Sequence, residues 1–176
     1  TVRIFSGQFN EVFGGSRIAD IEGGSFVEIN DKGQDHFHTV INRVYGGSDV
    51  SGNIGIGTYK NTEGEEITTN TYVRITESPE EGTAYSGFPF IGELYAGGNG
   101  KASGVNEQHP DVDMTYLDIA GGTLLDVYGG ANNSHVRKAT NILVNYKDSE
   151  AIAKTDLIPA VQKIIRGQEV KYNINR

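Results

Sequence analysis

The side chains that could do chemistry in this chain are of few kinds: four histidines, scattered carboxylates and a recurrent set of asparagines. His36 and His38 flank Phe37, and in an extended strand residues i and i+2 share a face, so both imidazoles would project together beside Asp35. Two imidazoles and a carboxylate begin a divalent-metal site, but the spacing fixes no third ligand, and an exposed polar strand face accounts for the same residues. Asp111 and Asp113 stand in the same i, i+2 relation within His109-Pro110-Asp111-Val112-Asp113. Paired carboxylates can hold calcium or act as acid and base on a glycosidic bond. A solvated turn ahead of a strand at 115–119 is the competing explanation. With no cysteine in the chain, disulfides and thiol or thiolate-metal chemistry are excluded. No Gly-x-Ser-x-Gly, phosphate loop, dinucleotide fingerprint or His-Glu-x-x-His occurs. No cofactor is therefore expected, with calcium as the alternative to none, and no catalytic residue is assigned outside the Asp111, Asp113 alternative.

Three loops share a different chemistry: Ser48-Asp49-Val50-Ser51-Gly52-Asn53, Gly98-Asn99-Gly100-Lys101 and Asn132-Asn133-Ser134-His135. Asn, Asp and Gly tolerate left-handed backbone and form Asx turns, which explains them structurally. Stacked above one another they would also form a stripe of amides, where a glycan could bind by many weak contacts. Asp49, Asn53, Asn99, Asn132 and Asn133 are the candidate ligand-binding residues on that basis.

What would stack them is a repeat. An apolar residue, an aromatic and two small residues recur as Val12-Phe13-Gly14-Gly15, Val44-Tyr45-Gly46-Gly47, Leu94-Tyr95-Ala96-Gly97 and Val127-Tyr128-Gly129-Gly130. The intervals are 32, 50 and 33 residues, so alternate phrases are 82 or 83 apart. At an offset of 115, Ile4 falls on Ile119, Gly7 on Gly122, Val27 on Ile142 and Ile29 on Val144. The segments around these positions are short, alternate in period two and are filled with Val, Ile, Tyr, Phe and Thr, the pattern of half-buried strands. A unit with one apolar face buries it by stacking on its neighbours. The expected fold is all-β, a right-handed parallel β-helix or β-solenoid over 1–176 as a single domain, with a β-sandwich as alternative.

One segment departs from the pattern. Apolar residues at 157, 158, 161, 164 and 165, with Asp156 ahead and Gly167 behind, have helical spacing and predict a short inserted helix over about 157–166. The last residues resemble the run that precedes an internal phrase, and Thr1-Val2-Arg3-Ile4 resembles interior strand, so a fragment of a longer repeat protein is expected. Open solenoid ends would then favour self-association or a larger assembly.

The phrases Val44-Tyr45-Gly46-Gly47-Ser48-Asp49 and Val127-Tyr128-Gly129-Gly130-Ala131-Asn132-Asn133 resemble those of large, Gly-rich repetitive surface proteins of gut Bacteroidetes. The resemblance implies export to the cell surface or beyond, and carries over no catalytic residue. Composition agrees with a binding role of that kind. Glycine is 24 of 176 residues, about twice the usual share, and the net charge of -8 disfavours nucleic acid as partner. The functional expectation is a non-enzymatic bacterial surface or secreted module, an adhesin, stalk or carbohydrate-binding domain for glycan or for a host or bacterial surface protein. A β-helix polysaccharide lyase or glycoside hydrolase is the alternative.

Overall fold

The computed structural model describes residues 1–31, 38–77, 87–101, 109–145, 161–165 and 168–172. The chain forms two compact units, Thr1–Tyr146 and Lys147–Arg176, and the expected single domain extends across both. The described residues are all-β. In chain order the first unit holds β1 (Val2–Ile4), β2 (Gln8–Phe13), β3 (Ile21–Gly23), β4 (Ser25–Asp31), β5 (Val40–Tyr45) and β6 (Ile54–Lys60). It continues with β7 (Glu66–Thr69), β8 (Thr71–Glu77), β9 (Phe90–Tyr95), β10 (Val112–Ala120), β11 (Thr123–Tyr128) and β12 (Val136–Val144). The second unit holds β13 (Val161–Ile165) and β14 (Gln168–Tyr172), paired antiparallel.

Two parallel sheets dominate the first unit. One runs β1-β4-β8-β10-β12 and the other β2-β5-β9-β11, while β3, β6 and β7 make a third. The chain passes from a strand of the first sheet to one of the second four times, each pair lying beside the pair before it. Parallel pairing throughout both large sheets is not the antiparallel arrangement of the sandwich alternative.

Register turns the repeat into columns. Val2, Val27, Val73, Leu117 and Ile142 are successive partners in the first sheet, and so are Ile4, Ile29, Ile75, Ile119 and Val144. In the second sheet Val12, Val44, Leu94 and Val127 form a column, with Phe13, Tyr45, Tyr95 and Tyr128 in the next position. The four rings stack with centroids 4.8, 5.1 and 4.6 Å apart and interplanar angles of 10° or less. Each phrase thus supplies one strand of the second sheet. The intervals differ because the returns through the third and first sheets differ in length, the longest containing the β6–β7 hairpin.

The two apolar columns of the first sheet and the one of the second share one core, in which Val27, Ile29, Val44, Val73, Ile75, Leu94 and Leu117 are fully buried. Sheet-to-sheet turns at Gly7 and Gly122 have φ of +112° and +83°, conformations that favour glycine. A buried hydroxyl column, absent from the sequence reading, ties the sheets together. Ser25, Thr71 and Thr115 donate from their side chains to the carbonyls of Gly46, Ala96 and Gly129 at 2.7, 2.6 and 2.6 Å. These bonds give a partner to corner carbonyls of three of the four phrases.

One expectation needs correction. No helix occupies 157–166 among the described residues: Val161–Ile165 is a strand, and 157–160 and 166 lie outside them. The spacing 161, 164, 165 fits a helix face, but Val161, Ile164 and Ile165 are β-branched, and Arg166-Gly167 separates them from a second run of strand-forming residues. Val127 is also less enclosed than its column suggests. It is 37% exposed, because β11 ends the second sheet and no described strand lies beyond it.

Candidate functional site

After the last glycine of each phrase the chain enters a loop that is itself hydrogen-bonded to the loop of the next phrase. The Asp49 N–H donates to the Ser16 carbonyl at 2.9 Å, Asn99 to Ser48 at 2.9 Å and Asn132 to Gly98 at 3.1 Å. The loops are therefore held in register by their backbones, and their side chains form a row. The Asn99 amide donates from Nδ2 to Asp49 Oδ1 at 3.0 Å, and Asn132 Nδ2 donates to Asn99 Oδ1 at 2.9 Å. At the other end Arg17 Nε lies 3.9 Å from Asp49 Oδ2. Every amide of the row donates toward Asp49, so the carboxylate polarises the chain of hydrogen bonds in one direction. Each amide keeps a second N–H for solvent or ligand.

A shallow cleft of about 480 Å³ opens beside this row, lined by Arg17, Ile18, Asp49, Val50, Asn99 and Lys101. Two of the expected ligand residues, Asp49 and Asn99, line it, and Asn132 extends the row. Asn133 lies next to the row: its N–H donates to the Asn99 carbonyl at 2.6 Å, and its own carbonyl accepts from His109 Nδ1 at 2.7 Å. Asn53 lies elsewhere. It precedes β6, where its carbonyl accepts from Ile21 and its N–H donates to Asp20 Oδ1 at 2.7 Å. Arg17 and Lys101 were not singled out by sequence. Their signal was position alone, two residues past Gly15 and two past Asn99.

The carboxylates of the enzymatic alternative lie beside the Asn132–His135 end of the row. Asp111 Oδ1 accepts from the His135 N–H at 2.9 Å and lies 3.2 Å from His135 Nδ1, while Arg137 Nη2 is 3.1 Å from Oδ2. Burial raises the Asp111 pKa, but the backbone and side-chain contacts of His135, with the Arg137 hydrogen bond, outweigh it and hold the carboxyl below its ordinary value. Asp113 is paired separately with Lys138 at 2.8 Å. The two carboxylates thus engage different cations rather than a common one.

Of the histidine pair, His36 lies outside the described residues. His38 stacks on Phe88 at 4.1 Å, and its Nδ1 is 3.3 Å from the buried carboxylate of Asp31. Among the described residues no three His, Asp or Glu side chains form a metal-binding group. The tyrosine stack offers little platform for a sugar: Tyr45 is 2% exposed, and only the terminal Tyr128, at 45%, is open. Compared with protein-family models, with characterised proteins and with solved structures, the chain gives no match.

Proposed function

We propose that the first unit is a right-handed parallel β-solenoid acting as a non-enzymatic surface or secreted module, which binds glycan along the row Arg17, Asp49, Asn99, Asn132. The handedness rests on the strong preference of parallel crossovers. The observation that carries the reading is the registered row itself. Successive strands of a sheet lie about 4.8 Å apart, a spacing comparable to one sugar unit, so an extended saccharide can meet one polar side chain per step. Each contact is weak and the sum is useful, as in any multivalent array. Export and surface attachment belong to the same reading, and β1 and β12, the edge strands of the first sheet among the described residues, offer a route to self-association.

The test is binding of the intact chain to a panel of soluble polysaccharides by affinity electrophoresis, with Asn99→Ala as probe. Retardation by at least one polysaccharide, reduced about tenfold in Asn99→Ala, supports the reading. Absence of retardation by the whole panel refutes it. The lyase or hydrolase reading draws on a single observation, the contact of His135 and Arg137 with Asp111. It predicts new reducing ends or unsaturated products from the same panel, lost in Asp111→Asn.

A further inference from the structure

Resting on the reading of the row as a glycan site, we infer that its ligand is acidic: a uronate unit whose carboxylate is held between Arg17 and Lys101 in the adjoining cleft. The five arginines of the described residues are not equivalent. Arg3, Arg43, Arg74 and Arg137 each have a carboxylate oxygen at 3.5 Å or closer. Arg17 has only the 3.9 Å approach to Asp49, and its side chain is 82% exposed. That distance exceeds the 2.7–2.9 Å of a charge-assisted hydrogen bond. The guanidinium therefore retains donors that can fork a carboxylate.

Lys101 lies on the same cleft, exposed, with no ion-pair partner among the described residues. Two available cations meet there in a chain whose net charge is -8. The one carboxylate of the cleft, Asp49, already accepts from Asn99, and so is fitted to orient the amide row. The apolar part also fits a sugar. Ile18 is 67% exposed and lines the cleft with Val50, presenting hydrocarbon to the C–H face of a pyranose. A free amino acid or nucleotide would find no enclosing walls here. A polymer that continues along the row needs none.

Calorimetric titration of the intact chain with an oligogalacturonate and with a neutral cello-oligosaccharide of equal length tests this. The acidic oligomer is expected to bind at least tenfold tighter. The double variant Arg17→Gln, Lys101→Gln should remove that preference, weakening acidic binding at least tenfold more than neutral binding, while the melting temperature stays unchanged because both side chains are exposed. Neutral binding equal to or stronger than acidic overturns the inference and leaves the glycan reading standing. Acidic binding that survives the double variant also overturns it. Failure of both oligomers to bind counts against the inference and the glycan reading alike.

Discussion

The fourth position of the corner phrase is glycine in all four copies, yet the structure gives these glycines different work, and Gly47→Ala against Gly130→Ala separates them. A Cβ on Gly47 would sit 2.8 Å from the Gly98 nitrogen and 3.0 Å from its Cα, both backbone atoms of the next loop. Ordinary contact needs about half an ångström more, and the loop cannot give way cheaply. Gly47 donates to the Gly97 carbonyl at 3.0 Å and accepts from Gly15 at 3.0 Å. Overpacking of this kind costs about 1–3 kcal/mol, offset by about 0.4–1 kcal/mol from the stiffer unfolded chain. A net loss of about 1–2 kcal/mol corresponds to a melting temperature lowered by roughly 2–8 °C. A Cβ on Gly130 meets nothing within 4 Å, and the residue is not in the left-handed region, so alanine there should be neutral or slightly stabilising. Urea denaturation with matched thermal melts measures both variants. Equal stability of Gly47→Ala and the parent refutes the close-packing argument. A Gly130→Ala loss as large as that of Gly47→Ala would show that β11 is not the terminal row.

Leu94 is fully buried, so Leu94→Ala should cost about 2–5 kcal/mol by denaturant titration. The register-equivalent Val127→Ala, at a 37% exposed site, should cost under about 1 kcal/mol. Burial pushes the Tyr45 hydroxyl up to about 12, with Arg43 opposing and Glu11, Tyr95 and Glu93 reinforcing. The folded state then holds a proton that the unfolded state releases near pH 10. The stability involved is present below pH 10 and lost on the way to pH 12, about 2–3 kcal/mol in all. Tyr45→Phe should flatten the stability profile in that window, as followed by denaturation midpoints. Asp111 has the opposite sign: its carboxyl lies below the ordinary value, so its contribution is present above about pH 4 and vanishes in acid. Asp111→Asn should cost about 1 kcal/mol at pH 7, and its difference from the parent should shrink as the pH falls below the ordinary carboxylate range.

The columns were legible because one rule generates them. Val12, Val44, Leu94 and Val127 share a phrase, and parallel pairing in register needs only that equal phrases meet. The 115-residue offset likewise found Ile4 with Ile119 and Val27 with Ile142, which the strand register places in common columns. The row Asp49, Asn99, Asn132 followed from the phrase too, since each stands two residues past the last glycine of its phrase. Asn53 was grouped by composition and not by distance from the phrase, and it falls in a different part of the first unit. The segment 157–166 misled because β-branched residues at 161, 164 and 165 satisfy helical spacing and strand propensity together, and only pairing decides between them. The hydroxyl column was present as Ser25 and Thr71 at strand starts and Thr115 inside β10. Nothing in a polar strand residue says that its hydroxyl turns inward to a corner carbonyl. Arg17 and Lys101 were hidden for a related reason: a solvent-exposed cation has no pattern until the register brings two of them to one cleft.

The central claim is that the registered polar row is the surface that meets ligand. Amide NMR of the isotopically labelled chain, titrated with the oligosaccharide it binds best, tests it residue by residue. The account predicts shifts clustered on Arg17, Asp49, Asn99, Lys101 and Asn132, growing smoothly with ligand and without breakdown of the sugar. Shifts centred instead on Asp111, Asp113 and His135, with the oligosaccharide cleaved during the titration, would contradict it.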